Sequence, residues 1–388
     1  MTEPVSIMAM ASVSALGADE QQVWKNYKAR ETRIASRDFG SFSALVSSID
    51  NEIWAEINAL REVKNYKELD PSVLMAIYVA RKAVSIAGWK SEKIGINIGS
   101  SRGSTHLFEK YHREFLETGQ ELASTLSSPT TTLGNLSSWV GHDLQSKGPT
   151  ISHSIACSTA LHGILNGIAW LNSGMSRYFL AGGSEASNTP FTVSQLKALR
   201  IYSERHQEFP CRTLDLNKSR NSMVLGEAAA VFCLEKGSSP DALAVIEGIG
   251  YATEPLTHNI SISTDAECFQ RSMRMALEGM SPEDIDVIVT HAPGTLKGDS
   301  SELLAIQKVF QENVPALTSN KWIIGHTLGA SGAMSLEMAL LMLRSQEFID
   351  VPFLDEQKAP GRIRKVLINA VGFGGNAVSL IVSRDLSS

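Results

Sequence analysis

A chain of 388 residues is too long for one ordinary hydrophobic core and suits two domains or a fused pair. With 43% apolar and 20% charged residues it has the composition of a folded globular protein, not a disordered one. The formal net charge of −6 argues against binding nucleic acid by bulk attraction, while leaving room for a local basic patch. Cys157, Cys211, Cys233 and Cys268 lack paired spacing or a Cys/His metal signature, which suits a reducing compartment. The opening MTEPVSIMAMASVSALG has no basic start of a signal peptide, and no apolar run reaches membrane length. The expectation is a cytoplasmic protein with no membrane or nucleic-acid partner.

In chain order, Val5 to Ser14 reads as a strand, and about Asp19 to Ala29 as a helix. Residues 30 to 68 give mixed signals and yield no assignment. Asp70-Pro71 opens a helix carrying Leu74, Ile77, Ala80 and Val84 on to about Ala87. Lys93 to Gly99 is a short buried strand, with SSRGS looping after it. A mixed-charge helix runs from His106 to about Thr118, and Ser127 to Gly134 reads as a loop. Thr150 to Ala156 is a buried strand passing through Cys157 into a helix with Leu161, Ile164, Leu165, Ile168 and Leu171 at three- and four-residue spacing. Ser158 and Thr159 suit its start and Gly174 its end. Arg177 to Gly182 is a further strand.

Between 234 and 242 the composition shifts to Glu, Lys, Gly, Ser and Pro, which divides the chain into halves at 1–240 and 241–388. LAVIEGIGYA, just beyond, resembles the opening strand. A helix near 268–279, a strand at 286–290, a helix at 300–310 and a strand near Ala316 follow. A small-residue helix from about Leu328 to Leu343 precedes two strands, VLINAV and AVSLIV, that flank a glycine turn. The alternation is that of an α/β protein, with any duplication faint at the level of residues.

The chemistry gathers in four segments. Cys157 is expected at a sharp strand-to-helix turn, where first-turn amides and the helix dipole favour a thiolate. Ala156, Ser158 and Ala160 leave room for a substrate carbonyl, although an inert packed thiol is the plain alternative. DVIVTHAPGTLKGDSSE delivers His291 at a strand end and carries Glu302; NKWIIGHTLGASG carries Lys321 and His326. NAVGFGGNA has strands on both sides, so it reads as a tight turn bringing backbone close to a ligand and not as a dinucleotide loop. Two histidines raise the possibility of zinc, yet no third ligand stands at metal spacing. A thiol, two histidines, a lysine and a carboxylate can perform acyl transfer onto sulfur followed by carbanion formation.

With these motifs in order the sequence resembles the β-ketoacyl-acyl carrier protein synthases, the elongating Cys-His-His class of the thiolase-like condensing enzymes. The resemblance runs over nearly the whole chain: INIGSSRG, GPTISHSIACST, DLNKSRNSMVLGEAAAVFCLE, THAPGT, GHTLGASGA and GFGGNA. It implies Cys157 as acylated nucleophile, His291 and His326 as the decarboxylation pair, and Lys321 with Glu302 as a supporting ion pair. Thr295 and the turn Phe373, Gly374 and Gly375 would contact the substrate arm. It further implies a five-layer α-β-α-β-α fold of two similar halves. An acyl carrier protein, acyl and malonyl thioesters, and a homodimer or ketosynthase heterodimer are the implied partners. Lys197, Arg200, Arg205 and Arg220 are candidates for a basic carrier entrance.

Several positions depart from the family pattern. Pro293 stands where a first threonine is usual, and Val289-Thr290 replace Asn-Ala before His291. Val371 replaces an aromatic, one residue is missing before Asn376, and Asn221-Ser222 stand for Asp-Gly. These touch carrier-arm binding and chain gating, not the five presumed catalytic residues, and they point to a specialised pathway of polyketide, aryl polyene or pigment type. A degradative thiolase would need a second cysteine at the glycine turn, and none is there. An inactive partner subunit of a ketosynthase heterodimer is the alternative, against which the retention of Cys157 and both histidines argues.

Overall fold

In the computed structural model, residues 3–90, 93–133, 135–255, 262–354 and 359–384 are described. Thirteen strands, numbered in chain order, fall among them into three sheets. The first sheet holds β1 (Val5–Val13), β4 (Ile94–Gly99), β5 (Thr150–Ile151), β6 (Tyr178–Glu185) and β8 (Ala228–Lys236), in the spatial order β1-β8-β6-β4-β5. The second holds β9 (Ala244–Thr253), β10 (Val287–Val289), β11 (Ala316–Thr318), β12 (Lys365–Gly372) and β13 (Asn376–Ser383), in the order β11-β10-β12-β13-β9. A small sheet joins β2 (Ile34–Asp38), β3 (Ser43–Ser47) and β7 (Leu225–Gly226).

The two large sheets repeat one pattern. In the first, β1–β8 and β8–β6 are antiparallel while β6–β4 and β4–β5 are parallel. In the second, β9–β13 and β13–β12 are antiparallel while β12–β10 and β10–β11 are parallel. The strands therefore correspond as β1 with β9, β8 with β13, β6 with β12, β4 with β10 and β5 with β11. The duplication that was faint in the residues is explicit in the pairing.

Three apolar layers alternate with the two sheets. The helices Thr159–Ser173 and Ser331–Ser345 share one core with the facing sides of both sheets. The helix Pro71–Ile86 covers the outer side of the first sheet, and Glu267–Ala276 with Leu296–Phe310 the outer side of the second. This is the five-layer α-β-α-β-α arrangement, and it explains why β4 and β12 carry near-continuous apolar runs: both faces are covered. Local signals set the helix ends. Asp70 caps Pro71–Ile86 by accepting the Ser72 N–H at 2.9 Å, and Gly174 closes Thr159–Ser173 in the left-handed region at φ 77°.

The structure corrects three readings. Residues 30–68, left unassigned, hold the β2–β3 hairpin and the helix Asn51–Ala59. The stretch 127–134 read as a loop contains the short helix Ser127–Thr131, with Gly134 outside the described residues. The strand before Cys157 spans only Thr150–Ile151 and is exposed at the sheet edge, because β5 pairs with β4 alone. From Ser152 to Ala156 the chain leaves the ladder.

Candidate active site

Cys157 sits at the end of that irregular run, one residue before Ser158, the cap residue of the helix Thr159–Ser173. Ala156 holds a left-handed φ of 45°, uncommon for a residue with a Cβ, and the reversal turns Cys157 inward. There it joins an apolar cluster of Ala44, Val46, Val193, Leu196, Tyr202, Met223, Leu225 and Leu328, a lining suited to an acyl group. The turn after β12 closes over the same loop: a Cβ on Gly372 would lie 2.5 Å from the Ile155 carbonyl oxygen and 3.3 Å from the Cys157 nitrogen. Only glycine fits.

The expectation of a resting thiolate does not hold. Burial pushes the Cys157 thiol up to about 12, with the Glu185 carboxylate adding to the shift and Lys321 and Arg102 opposing it. Desolvation of a buried sulfur works against the thiolate that the helix start was expected to favour.

His291 lies just past the end of β10, whereas His326 lies beyond the neighbouring β11 and the short helix Lys321–Ile324. Their rings meet edge to face with centroids 5.3 Å apart. Pairing with the β7 segment fixes His326, whose N–H donates to the Val224 carbonyl at 2.7 Å while its own carbonyl accepts from Gly226 at 3.1 Å. Burial and the nearby Lys321 ammonium push both imidazoles well below their ordinary range, with a further contribution from His326 on His291. Both rings are therefore neutral near pH 7 and each carries one N–H. Neither Nδ1 finds a partner among the described residues.

Glu302 lies in the helix Leu296–Phe310, fully buried, and grips the backbone at the histidine. Its carboxylate accepts the His291 N–H at 2.9 Å, the Ala292 N–H at 2.7 Å and Asn369 Nδ2 at 3.2 Å. Lys321 does not form the expected contact ion pair: its buried Nζ has no hydrogen-bond partner among the described residues. The carboxylate oxygens are taken up by backbone N–H groups, so the two charges interact through space. Burial raises Glu302 and lowers Lys321, and each opposes the shift of the other. Lys321 also feels the Cys211, Cys157 and Asp299 side chains, and its charge reaches both imidazoles.

Thr295 caps the helix Leu296–Phe310 by accepting the Gly298 N–H at 3.1 Å. Phe373 stands half exposed at the tip of the β12–β13 turn, with Gly374 and Gly375 at φ 109° and 70° supplying the reversal. Asn221 and Ser222 clamp the histidine loop, Asn221 Oδ1 accepting from the Leu296 N–H at 2.8 Å and Ser222 Oγ donating to the Gly294 carbonyl at 2.8 Å. One residue escaped sequence reasoning. Glu185 ends β6 fully buried and accepts from the Ser100 hydroxyl at 2.9 Å and from the N–H groups of Ser101 at 2.7 Å, Arg102 at 3.3 Å and Gly329 at 2.9 Å. It ties the loop after β4 to the loop after His326; the only hint in the sequence was an acid closing an otherwise apolar strand.

A cleft of about 350 Å³ opens beside this machinery, lined in part by Arg205, Arg212, Lys218, Arg220 and Ser222. Its cations are not equivalent. Lys218 is buried against Asp299 at 2.7 Å, and Arg212 pairs with Asp215 at 2.7 Å while stacking on Phe353. Lys197 lies 3.8 Å from Glu204. Arg200, Arg205 and Arg220 are exposed and have no acidic partner among the described residues.

A duplicated five-layer α/β fold with a cysteine and two histidines at strand-to-helix junctions defines a thiolase-like condensing enzyme. Comparison with known proteins narrows this further. Residues 2–239 match the model of the beta-ketoacyl synthase N-terminal domain and residues 243–352 that of the C-terminal domain. The chain belongs to the beta-ketoacyl synthase family. It is 28% identical to 3-oxoacyl-[acyl-carrier-protein] synthase 2 of Coxiella burnetii, with 98% of each chain covered. It is 25% identical to the chloroplastic 3-oxoacyl-[acyl-carrier-protein] synthase I of Arabidopsis thaliana over 96% of this chain and 85% of that one. Among solved structures, a beta-ketoacyl synthase from Burkholderia phymatum superposes with a TM-score of 0.84 at 23% identity, covering 99% and 100% of the two chains. A ketosynthase in complex with its chain length factor from Xenorhabdus doucetiae gives 0.80 at 20% identity, covering 99% and 98%. The fold is that of the ketosynthases, and the family's activity is condensing acyl transfer.

Proposed function

We propose that the chain is a decarboxylating condensing acyltransferase acting in fatty acid or polyketide-type synthesis, with Cys157 as nucleophile and His291 and His326 as the decarboxylation pair. The observation that carries the reading is the pair of buried neutral imidazoles set against one lysine whose charge also reaches the thiol. The Cys157 sulfur attacks an acyl thioester; as the new carbon–sulfur bond forms and the old one breaks, the Cys157 proton passes to the carrier sulfur, which departs as the thiol. A malonyl thioester then loses CO₂, and the two electrons of the broken C–C bond pass to the thioester oxygen. Two neutral imidazole N–H donors stabilise that enolate without first giving up a proton. The enolate carbon attacks the acyl-enzyme, releasing Cys157 and a β-ketoacyl thioester. Lys321 and Glu302 keep the imidazoles neutral and the His291 backbone in place.

The acyl donor is an acyl carrier protein, which approaches along the cleft through Arg200, Arg205 and Arg220, the cations free of acidic partners among the described residues. Thr295, Phe373, Gly374 and Gly375 border the arm. The halves are 1–240 and 241–388, the location is the cytoplasm, and the working state is a dimer. Intact-mass spectrometry with a panel of acyl carriers tests the core of the reading: an acyl adduct forms on the native chain and is absent from Cys157→Ala. Failure of every donor to label the native chain would instead favour an accessory subunit of a ketosynthase heterodimer.

A further inference from the structure

Glu302 receives a directed chain of hydrogen bonds from the outer side of the second sheet. Asn369 on β12 and Ser379 on β13 face each other in the strand register. Ser379 Oγ donates to Asn369 Oδ1 at 2.7 Å, and Ser272 Oγ, in the helix Glu267–Ala276, lies 2.8 Å from Ser379 Oγ. Asn369 Nδ2 lies 3.2 Å from Glu302 Oε1. The directions follow from bookkeeping of protons. A carboxylate accepts only, so the Asn369 amide must turn its NH₂ toward Glu302. Its carbonyl is then left to accept the single proton of Ser379; the Ser272 hydroxyl, beside Ser379, also has the Phe269 carbonyl at 3.2 Å as an acceptor. Ser379 and Asn369 thus both donate in the direction of the carboxylate, Asn369 Nδ2 also lying 3.6 Å from Met273 Sδ, and bonds aligned in this way reinforce one another.

We propose that Asn369 and Ser379 are positioning residues for decarboxylation: they hold Glu302 in its accepting form, and Glu302 in turn fixes the backbone N–H groups of His291 and Ala292. The inference rests on the role assigned to His291 above. The titratable groups facing Glu302 are Lys321 from the helix Lys321–Ile324 and His291 from the end of β10, with Asp299, Cys211 and Cys157 acting through Lys321. Losing the Asn369 donor disfavours the carboxylate, so Glu302 takes up a proton at higher pH than in the native chain.

The test measures malonyl-carrier decarboxylation against pH, acylation of Cys157, and amide hydrogen exchange in the peptide spanning 287–296. Asn369→Leu is expected to lower the decarboxylation kcat about tenfold, the scale of one hydrogen bond to a charged group. Its acidic limb moves to higher pH, exchange at His291 and Ala292 quickens, and acylation stays within twofold. Ser379→Ala moves the limb the same way by less, and Ser379→Thr, which keeps the hydroxyl, restores the native profile. An unmoved limb in both disruptive variants, or equal losses of acylation and decarboxylation, overturns the proposal. A native chain that is acylated but never decarboxylates a malonyl carrier overturns the assignment of His291 instead; hydrogen exchange then decides the chain of bonds on its own.

Discussion

At the scale of single residues, the site is governed by how deeply its charges are enclosed. Glu185 shows this best. Four donors hold its carboxylate, yet burial still raises it to about 7, and its field is the largest charge effect on the Cys157 thiol. Glu185→Gln removes a negative neighbour, which lowers the thiol's affinity for its proton. Alkylation of Cys157 by iodoacetamide at pH 8 should therefore run severalfold faster in the variant, with its pH profile displaced to lower pH. An unchanged profile would show that the carboxyl is already protonated or shielded in the native chain. The candidate residues were legible in the sequence, because Cys157, His291, Lys321 and His326 lie in short motifs whose order is distinctive. Their charge states were not. The helix start at Cys157 suggested a thiolate, and only the enclosure of the sulfur by Val193, Leu196, Met223 and Leu328 reversed the sign. That enclosure comes from segments up to 171 residues away (Cys157 to Leu328), beyond the reach of any local pattern.

At the scale of elements, two features of the entrance can be separated experimentally. The exposed Arg205 and Arg220 line the cleft without acidic partners among the described residues, whereas Lys218 and Arg212 are committed to internal pairs. Arg220→Glu should raise KM for an acyl carrier about tenfold or more, mainly through slower association, and the effect should shrink with added salt. Its rate with a small acyl thioester lacking the carrier should be unchanged. If both substrates suffer equally, the arginine shapes the pocket and does not guide a partner. The glycine turn behaves differently, since it touches the nucleophile loop directly. Gly372→Ala forces a methyl group against the Ile155 carbonyl, and a shift of about 1 Å at that loop is enough to slow chemistry on the order of a hundredfold. Both carrier-bound and free acyl donors should then fail to label Cys157 at the native rate. The turn itself was readable from NAVGFGGNA between two apolar runs; its contact with residues 155–157 was not, because nothing local links positions more than 200 residues apart.

For the molecule as a whole, the repeated strand pattern places Cys157 and His326 in equivalent positions, each between the last parallel strand of its half and a central helix. Cys157 follows a strand of the first sheet and both histidines follow strands of the second, so the proposed reaction needs both. The sequence hid this symmetry because the two halves preserved pairing and burial while their residues diverged. A further requirement follows from the first sheet, which ends on β5, a two-residue edge strand paired on one side only. Ile151 is 40% exposed there, and Phe108, Leu116, Leu122, Leu126 and Leu133 of the nearby 105–133 segment are at least 43% exposed. Edge strands and apolar surface of this extent are normally covered. Static light scattering on the purified chain should accordingly give twice the chain mass of 42.0 kDa at micromolar concentration. Ile151→Lys, which places a charge on the edge while leaving the interior untouched, should shift that equilibrium toward the monomer. A native chain that stays monomeric, or that precipitates until a second ketosynthase-like subunit is supplied, would identify the missing cover as a different chain. The active-site residues would then belong to one member of a heterodimer, and acylation assays on the isolated chain would understate its activity.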